Sequence, residues 1–336
     1  MSDVNFSRSL HIQTETLFGE YLKDDTINEI CFNGDGSIWT QDYNSVWTEH
    51  KNNISYEQMM AFAIPTASHK EDTLKTTKPI LSATLNDGER VQVVIPPVTK
   101  KGRLSITIRK PSKVRYTLED FKKQGMFDNI IHENERKVSP EEKILLSFYE
   151  KKEWDNFLIE AIKLGKNIVI AGETGSGKTT FMKSLIDFIP LNERIITIED
   201  VEEIKFFEHK NYVQLFYPSE AKESDFLTSA SLLKSCLRMK PDRILLAELR
   251  GGETYDFINV VSSGHNGSIT SCHAGSVKET FTRLALMTLQ NSKGQKIPFE
   301  IIEKMLKDVI DVVVHIKAHN GSRNITDIYY KGCKPK

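Results

Sequence analysis

Between residue 10 and about residue 110, apolar residues fall in short alternating runs separated by turn residues. INEICF runs into Asn33-Gly34-Asp35-Gly36, SIWTQ follows, and GERVQVVIPP and LSITIRK complete the set. Alternation with period two places every second side chain on one face, so each run predicts a strand. Two stretches carry helical spacing instead. Leu10 to Leu22 has Ile12, Leu17 and Tyr21 in helical phase, and Tyr56 to Ala67 is a second helix expected to break at Pro65, which lacks an amide hydrogen. Strands followed by helices in this mixture predict a small α+β domain.

The pattern then changes. From Thr99 to Lys123 there are nine Lys or Arg residues and two acids, and Pro111-Ser112 interrupts the chain directly after the strand-like SITIR. Residues from Glu119 to about Lys152 mix charge with small apolar groups, as expected of a linker with short helices. The boundary is placed near Lys113, giving an N-terminal domain over 1–112, a linker region over 113–153 and a second domain over 154–336. From Trp154 the order is helix WDNFLIEAIKLG, strand NIVIAG, helix from Lys178, strand RIITIED, strand YVQLFY, helix SDFLTSASLLKSCLRM, strand RILLAE, helix TYDFINVVSSG and strand SITSCH. Strands alternating with helices predict an α/β domain with a largely parallel sheet. The continuous apolar runs NIVIAG and RILLAE suit strands buried on both faces.

The length of 336 residues agrees with two domains, and 39% hydrophobic with 27% charged residues is an ordinary globular mixture. With 45 basic and 46 acidic residues the net charge is −1. Global charge therefore announces neither a nucleic-acid coat nor a membrane-surface binder. No run approaches the length of a membrane span and the start has no secretory signal, so a cytoplasmic location is expected. Cys31, Cys236, Cys272 and Cys333 are far apart with no C-x-x-C pair, which predicts free thiols rather than a zinc or redox site.

The sharpest chemical signal is Gly172-Glu173-Thr174-Gly175-Ser176-Gly177-Lys178-Thr179, a match to G-x-x-x-x-G-K-[ST] between an apolar strand and an amphipathic helix. The glycines let the backbone wrap phosphates, Lys178 supplies a charge to the β and γ oxygens, Thr179 supplies a Mg²⁺ ligand, and Thr180 opens the helix beside them. A structural glycine turn needs neither the Lys nor the Thr. Ile244-Leu245-Leu246-Ala247-Glu248 ends a buried strand in an acid, so Glu248 is a candidate to organise Mg²⁺ or activate water. Ala247 stands where many such proteins place an Asp, and the plainer alternative is a strand-end carboxylate paired with Arg250. Glu199 and Asp200 in TIED follow another strand and are either a second acidic contribution or turn caps. Spacing alone does not divide metal binding and water activation between Glu199 and Glu248. His273 ends SITSCH where a parallel sheet opens to ligand. His265, before that strand, is a weaker candidate.

GETGSGKTT, TIED, DRILLAELRGGE and GHNGSITSCHAGS, in that order, resemble the Walker A, Asp box, Walker B and His box of the secretion ATPase superfamily. GERVQVVIPP and SITIRKPS resemble the N-terminal domain of its type IV secretion branch, the hexameric traffic ATPases. The likeness spans residues from about 10 to 330. It implies a RecA-like ATPase domain, a homohexameric ring, ATP and Mg²⁺ as ligands, and nucleotide held between the two domains. It also implies that Arg90 and Arg109 reach the phosphates, that Tyr116 lies near the base, and that Glu199, Glu248 and His273 are catalytic. The segment from about Glu133 to Asn156 is longer than the compact linker of some members.

These features predict a Mg²⁺-dependent ATPase driving substrate transfer or pilus assembly, peripheral at the cytoplasmic face of the inner membrane and partnered by inner-membrane secretion components. Rival readings are a sister motor of type II secretion or pilus assembly, a RecA-type DNA-translocating helicase, and a nucleotide-gated scaffold without turnover. Lys100 to Lys123 can contact nucleic acid, but no RNP, KH or stacking-aromatic pattern accompanies it, so a solvated or phosphate-facing patch is preferred.

Overall fold

In the computed structural model the described residues are 2–112, 115–130, 138–222 and 225–333. The expected boundary at Lys113 and residues 131–137 of the expected linker lie outside them.

The N-terminal part runs α1 (Ser2–Lys23), β1 (Ile27–Phe32), β2 (Ser37–Asp42), β3 (Trp47–Lys51), α2 (Tyr56–His69), β4 (Ile80–Thr84), β5 (Arg90–Val94) and β6 (Ser105–Arg109). The six strands form an antiparallel sheet in the order β3-β2-β1-β6-β5-β4. One face is covered by α1 and α2, where Phe18 and Phe62 meet edge to face at 5.0 Å within a shared apolar core. Helix α2 starts at a reciprocal Ser55–Gln58 capping box and continues through Pro65, contrary to the expected break. An interior proline costs about 3 kcal/mol. Here its ring is buried with Met59, Phe62 and Ala63, and that burial offsets the lost hydrogen bond.

Two helices follow. α3 (Leu118–Lys123) buries no residue. α4 (Pro140–Glu150), within the stretch expected as linker, packs into the second domain: Leu145 is fully buried and the Tyr149 hydroxyl donates to Ile328 O at 2.7 Å. The rest of the chain is α5 (Trp154–Lys163), β7 (Ile168–Gly172), α6 (Lys178–Ile186), β8 (Ile195–Glu199), β9 (Tyr212–Phe216), α7 (Ser229–Cys236), β10 (Arg243–Leu249), α8 (Glu253–Ser262), β11 (Ile269–Cys272), α9 (Val277–Thr288), α10 (Phe299–Val309), β12 (Val312–His319) and β13 (Ser322–Tyr330).

The second sheet has seven strands in the order β13-β12-β7-β11-β10-β8-β9, parallel except for β13. Alternation along β7 sends Ile168 and Ile170 to the face covered by α4, α5 and α6, and Val169 and Ala171 to the face covered by α7, α8, α9 and α10. Both faces are dry, which is why these strands read as unbroken apolar runs. The adjacency of β7, β11, β10 and β8 brings the four motif segments to one sheet edge.

The two domains touch through a polar hub. Arg194, with no exposed surface, donates from Nη1 to Asn33 Oδ1 and Asn211 Oδ1, both at 2.6 Å, and from Nε to Met239 O at 3.0 Å. Its guanidinium lies 5.8 Å from the Trp47 ring, and Asp242 accepts from both Trp47 Nε1 and the Arg194 amide. Alongside, Phe216 N donates to Val98 O and Gln92 Nε2 to Ser235 Oγ. Val94 and Val98 of the N-terminal domain belong to the apolar core of the second.

Candidate active site

The loop between β7 and α6 has the shape a phosphate needs. Gly175 and Gly177 adopt φ of 75° and 94°, a region L side chains avoid. A Cβ on Gly172 would come within 2.3 Å of Ile316 O, so the strand end tolerates no side chain. A Cβ on Gly175 would meet nothing within 4 Å, leaving the loop open at its crest. The buried Ser176 hydroxyl has no protein partner. An open crest, left-handed glycines and an unsatisfied hydroxyl fit an anion bound by backbone amides at a helix N-terminus.

Lys178 is folded back onto this loop. Its ammonium donates to Gly172 O and Glu173 O, each at 3.0 Å, and to His273 Nδ1 at 3.2 Å. Burial pushes its pKa below the ordinary lysine value, an effect opposed by the Glu248 carboxylate. An ammonium only donates, so His273 accepts at Nδ1 and carries its proton on Nε2, which lies 2.9 Å from Glu248 Oε1. Glu248 Oε2 accepts from Arg250 Nε at 2.6 Å, and Arg250 Nη1 reaches Asp200 Oδ2 at 2.6 Å. Burial disfavours the Arg250 charge, but its hydrogen bonds to Glu248 and Asp200 outweigh this and raise its pKa. A continuous chain therefore runs Lys178–His273–Glu248–Arg250–Asp200 across four adjacent strand ends.

Glu199 sits differently from its sequence neighbour. It is fully buried: Oε1 accepts from Thr197 Oγ1 and Gln214 Nε2, and Oε2 from the amides of Glu203 and Ile204. All four bonds come from its own strand, the next strand and the turn it closes. Both Glu199 oxygens are thus taken by protein donors, and Asp200 is the TIED residue joined to Glu248, through Arg250. Thr179 and Thr180 use neither hydroxyl in a hydrogen bond among the described residues, so Thr179 is free to ligate. No cluster of three or more His, Cys, Asp or Glu suited to a metal occurs among the described residues. Mg²⁺ in nucleotide sites is held by one or two protein groups plus phosphate and water, and the Thr179 hydroxyl fits as one such group.

The remaining candidates lie elsewhere. Arg90 and Arg109 face each other directly across β5 and β6. They line a cavity of about 530 Å³ with Glu29 of β1 and with Leu237, Arg238 and Lys240 beyond α7. No residue of the 172–179 loop lines it, so within one chain the two arginines do not meet that loop. Arg109 Nε is 3.5 Å from Glu29, whose pKa is pushed up to about 7 by burial, against the pull of Arg109. Tyr116 is half exposed and stacks on Phe121 at 5.6 Å rather than on the loop. His265 precedes β11, at the amino ends of the parallel strands and opposite the phosphate loop. The glycine of its motif, Gly267, instead makes room for Arg243, whose Nη1 a Cβ would overlap at 1.7 Å.

Arg250 appears in the sequence only as a surface partner of Glu248, and Arg194 carries no motif. The Glu248–Arg250 pair is local, but the bonds from Arg250 to Asp200 and from Arg194 to Asn33 span 50 and 161 residues and leave no local signature.

A mostly parallel sheet with helices on both faces, a Gly-rich loop leading into a helix and acids on the neighbouring strand ends define a RecA-like P-loop ATPase. The model of the "Type II/IV secretion system protein" family matches residues 20–326. The chain belongs to that family. It is 50% identical over 318 residues to the type IV secretion system protein VirB11 of Brucella abortus, covering 92% of this chain and 87% of that one. It is 37% identical over 321 residues to the PtlH homolog of Bordetella bronchiseptica, covering 94% and 93%. The crystal structure of the VirB11 ATPase from the Brucella suis type IV secretion system, in complex with sulphate, superposes with a TM-score of 0.89 at 47% identity, covering 98% of this chain and 96% of that one. These relatives place the chain among the type IV secretion traffic ATPases and favour neither the type II, pilus nor helicase alternative.

Proposed function

We propose that the protein is a Mg²⁺-dependent motor of a type IV secretion system. As a homohexamer at the cytoplasmic face of the inner membrane, it turns ATP hydrolysis into domain motion that serves substrate transfer or pilus assembly. No described helix is long and apolar enough to cross a membrane, so attachment through inner-membrane secretion components is part of the proposal.

The observation that carries it is the chain from Lys178 to Asp200. A γ-phosphate entering the loop competes with Gly172 O, Glu173 O and His273 for the Lys178 ammonium, because a charge-assisted bond to phosphate is the stronger one. His273 then loses its lysine partner while remaining bonded to Glu248. Arg250 ties Glu248 to Asp200, and its amide donates to Glu253 in the first turn of α8. The presence of phosphate is thereby passed from the loop to two strand ends and a helix. Glu248 would orient or deprotonate the attacking water, with Mg²⁺ neutralising phosphate charge when bound.

Arg90 and Arg109 have two ways to meet phosphate. The N-terminal domain swings off its own ATPase domain, or an adjoining subunit brings its P-loop to the arginine cavity. The buried Arg194 hub opposes the first and supports the second, which a closed ring provides.

Paired Glu248→Gln and Glu199→Gln variants test the reading. Glu248→Gln is expected to bind ATP and hydrolyse it about 10²–10³-fold more slowly, while Glu199→Gln loses thermal stability through its buried bonds. Wild-type turnover in Glu248→Gln at saturating Mg²⁺-ATP would refute this assignment.

A further inference from the structure

Strand β12 runs parallel to β7 with Ile316 opposite Gly172, the last residue of β7. Beyond that point Lys317, Ala318 and His319 continue past the sheet at the level of the phosphate loop. The chain turns back at Asn320-Gly321, with φ of 48° and 78°. Left-handed conformation at both central residues gives a two-residue turn whose twist suits a hairpin. Arg323 then pairs with Ala318. Cross-strand partners share a face, as do residues two apart on one strand, so Arg323 lies on the face of Ile316. Ile316 packs in the same apolar cluster as Met182 and Leu185 of α6. Register alone thus delivers Arg323 to the α6 side of the sheet, over the beginning of that helix.

The side chain is found there. A Cβ built on Gly177 would lie 2.9 Å from Arg323 Cδ, 3.3 Å from Nε and 3.4 Å from Nη1. Gly177 immediately precedes Lys178 in the phosphate loop. Arg323 is exposed and makes no ion pair or hydrogen bond among the described residues. Lys317 and His319, on the opposite face of the same hairpin end, are exposed and without such partners either. An uncompensated guanidinium against the loop raises the local positive potential where polyphosphate binds.

We infer that Arg323 is a nucleotide-contacting residue: its guanidinium bonds the phosphate chain of a nucleoside di- or triphosphate seated in the 172–179 loop. This rests on that loop being the nucleotide site. The hairpin supplies the contact from the same chain, independently of Arg90 and Arg109. A planar guanidinium gives two parallel bonds to phosphate, whereas an ammonium gives a point charge.

ADP binding to the full-length protein tests it, by calorimetry on wild type, Arg323→Ala, Arg323→Lys and Lys178→Ala. Arg323→Ala is expected to weaken ADP about tenfold, as for loss of one charge-assisted bond. Arg323→Lys should recover part of that loss, and in ATP turnover the defect should fall on KM more than on kcat. Unchanged ADP affinity in Arg323→Ala, while Lys178→Ala loses it, overturns the inference and leaves the site intact. Unchanged affinity in both moves the nucleotide away from the loop and removes the reading beneath it. A loss in Arg323→Lys as large as in Arg323→Ala, with a lower melting temperature in both, assigns the residue to hairpin packing and also overturns the inference.

Discussion

The molecule holds two cationic sites built for anions, and they differ in what their charges already touch. In the P-loop, Lys178 is bound by loop carbonyls and His273, and Glu248 is bound by His273 and Arg250. In the cavity lined by β5, β6 and the residues after α7, Arg109 lies beside Glu29, whose pKa burial holds well above its usual value. The first site is a closed network that a phosphate must rearrange. The second is a cavity whose two facing arginines are proposed to meet phosphate. A motor needs both kinds, one to register the state of the nucleotide and one to complete the site when parts come together.

The largest expected effect tests the closed network. Lys178→Ala should lower phosphate release from Mg²⁺-ATP by about 10³-fold or more, since its ammonium is the charge seated on the loop carbonyls where the β and γ oxygens bind. Wild-type turnover would end the distinction between the two sites.

The next effect tests the arginine cavity. Arg90→Ala and Arg109→Ala should each lower turnover about tenfold or more with oligomer size unchanged by light scattering. Mixing Arg109→Ala with Lys178→Ala subunits should restore activity if the arginines serve a neighbouring P-loop. No recovery would require the N-terminal domain to reach its own.

Arg194→Ala probes the hub that holds the cavity where it is. Removing a fully buried guanidinium strands Asn33, Asn211 and the Met239 carbonyl, at a cost of about 3 kcal/mol, or roughly 5–10 °C in melting temperature. A shift below about 1 °C would mean that the domains are not joined there.

The smallest effect is in pH. The Glu29 carboxyl has a pKa of about 7 in the fold against an ordinary value of 4.5. Between these values the folded state binds more protons than the unfolded one, so this group's contribution is present below about pH 4.5 and is lost as pH rises through about 7. Glu29→Gln should therefore gain about 2 kcal/mol relative to wild type between pH 5 and pH 7. Parallel stability curves across that range would show that Glu29 ionises freely.

Much of this was legible in the residues. Period-two runs and apolar runs located most strands, and GETGSGKT announced phosphate binding because its glycines and lysine are adjacent in sequence and act together locally. The Asn-Gly turn before Arg323 was an available hairpin signal, but nothing in the chain says that β12 lies beside β7. Pro65 misled because local propensity ignores the core that envelops it. Glu199 and Asp200, adjacent in TIED, were indistinguishable until the fold took Glu199, at the end of β8, into four buried bonds and Asp200, just past the strand, towards Arg250. Local backbone chemistry thus fixed the elements and the phosphate loop. Strand order alone decided which acid meets Glu248, that Arg194 joins the domains, and that Arg90 and Arg109 stand away from their own P-loop, because contacts across 50 to 161 residues depend on sheet topology and packing rather than on neighbouring side chains.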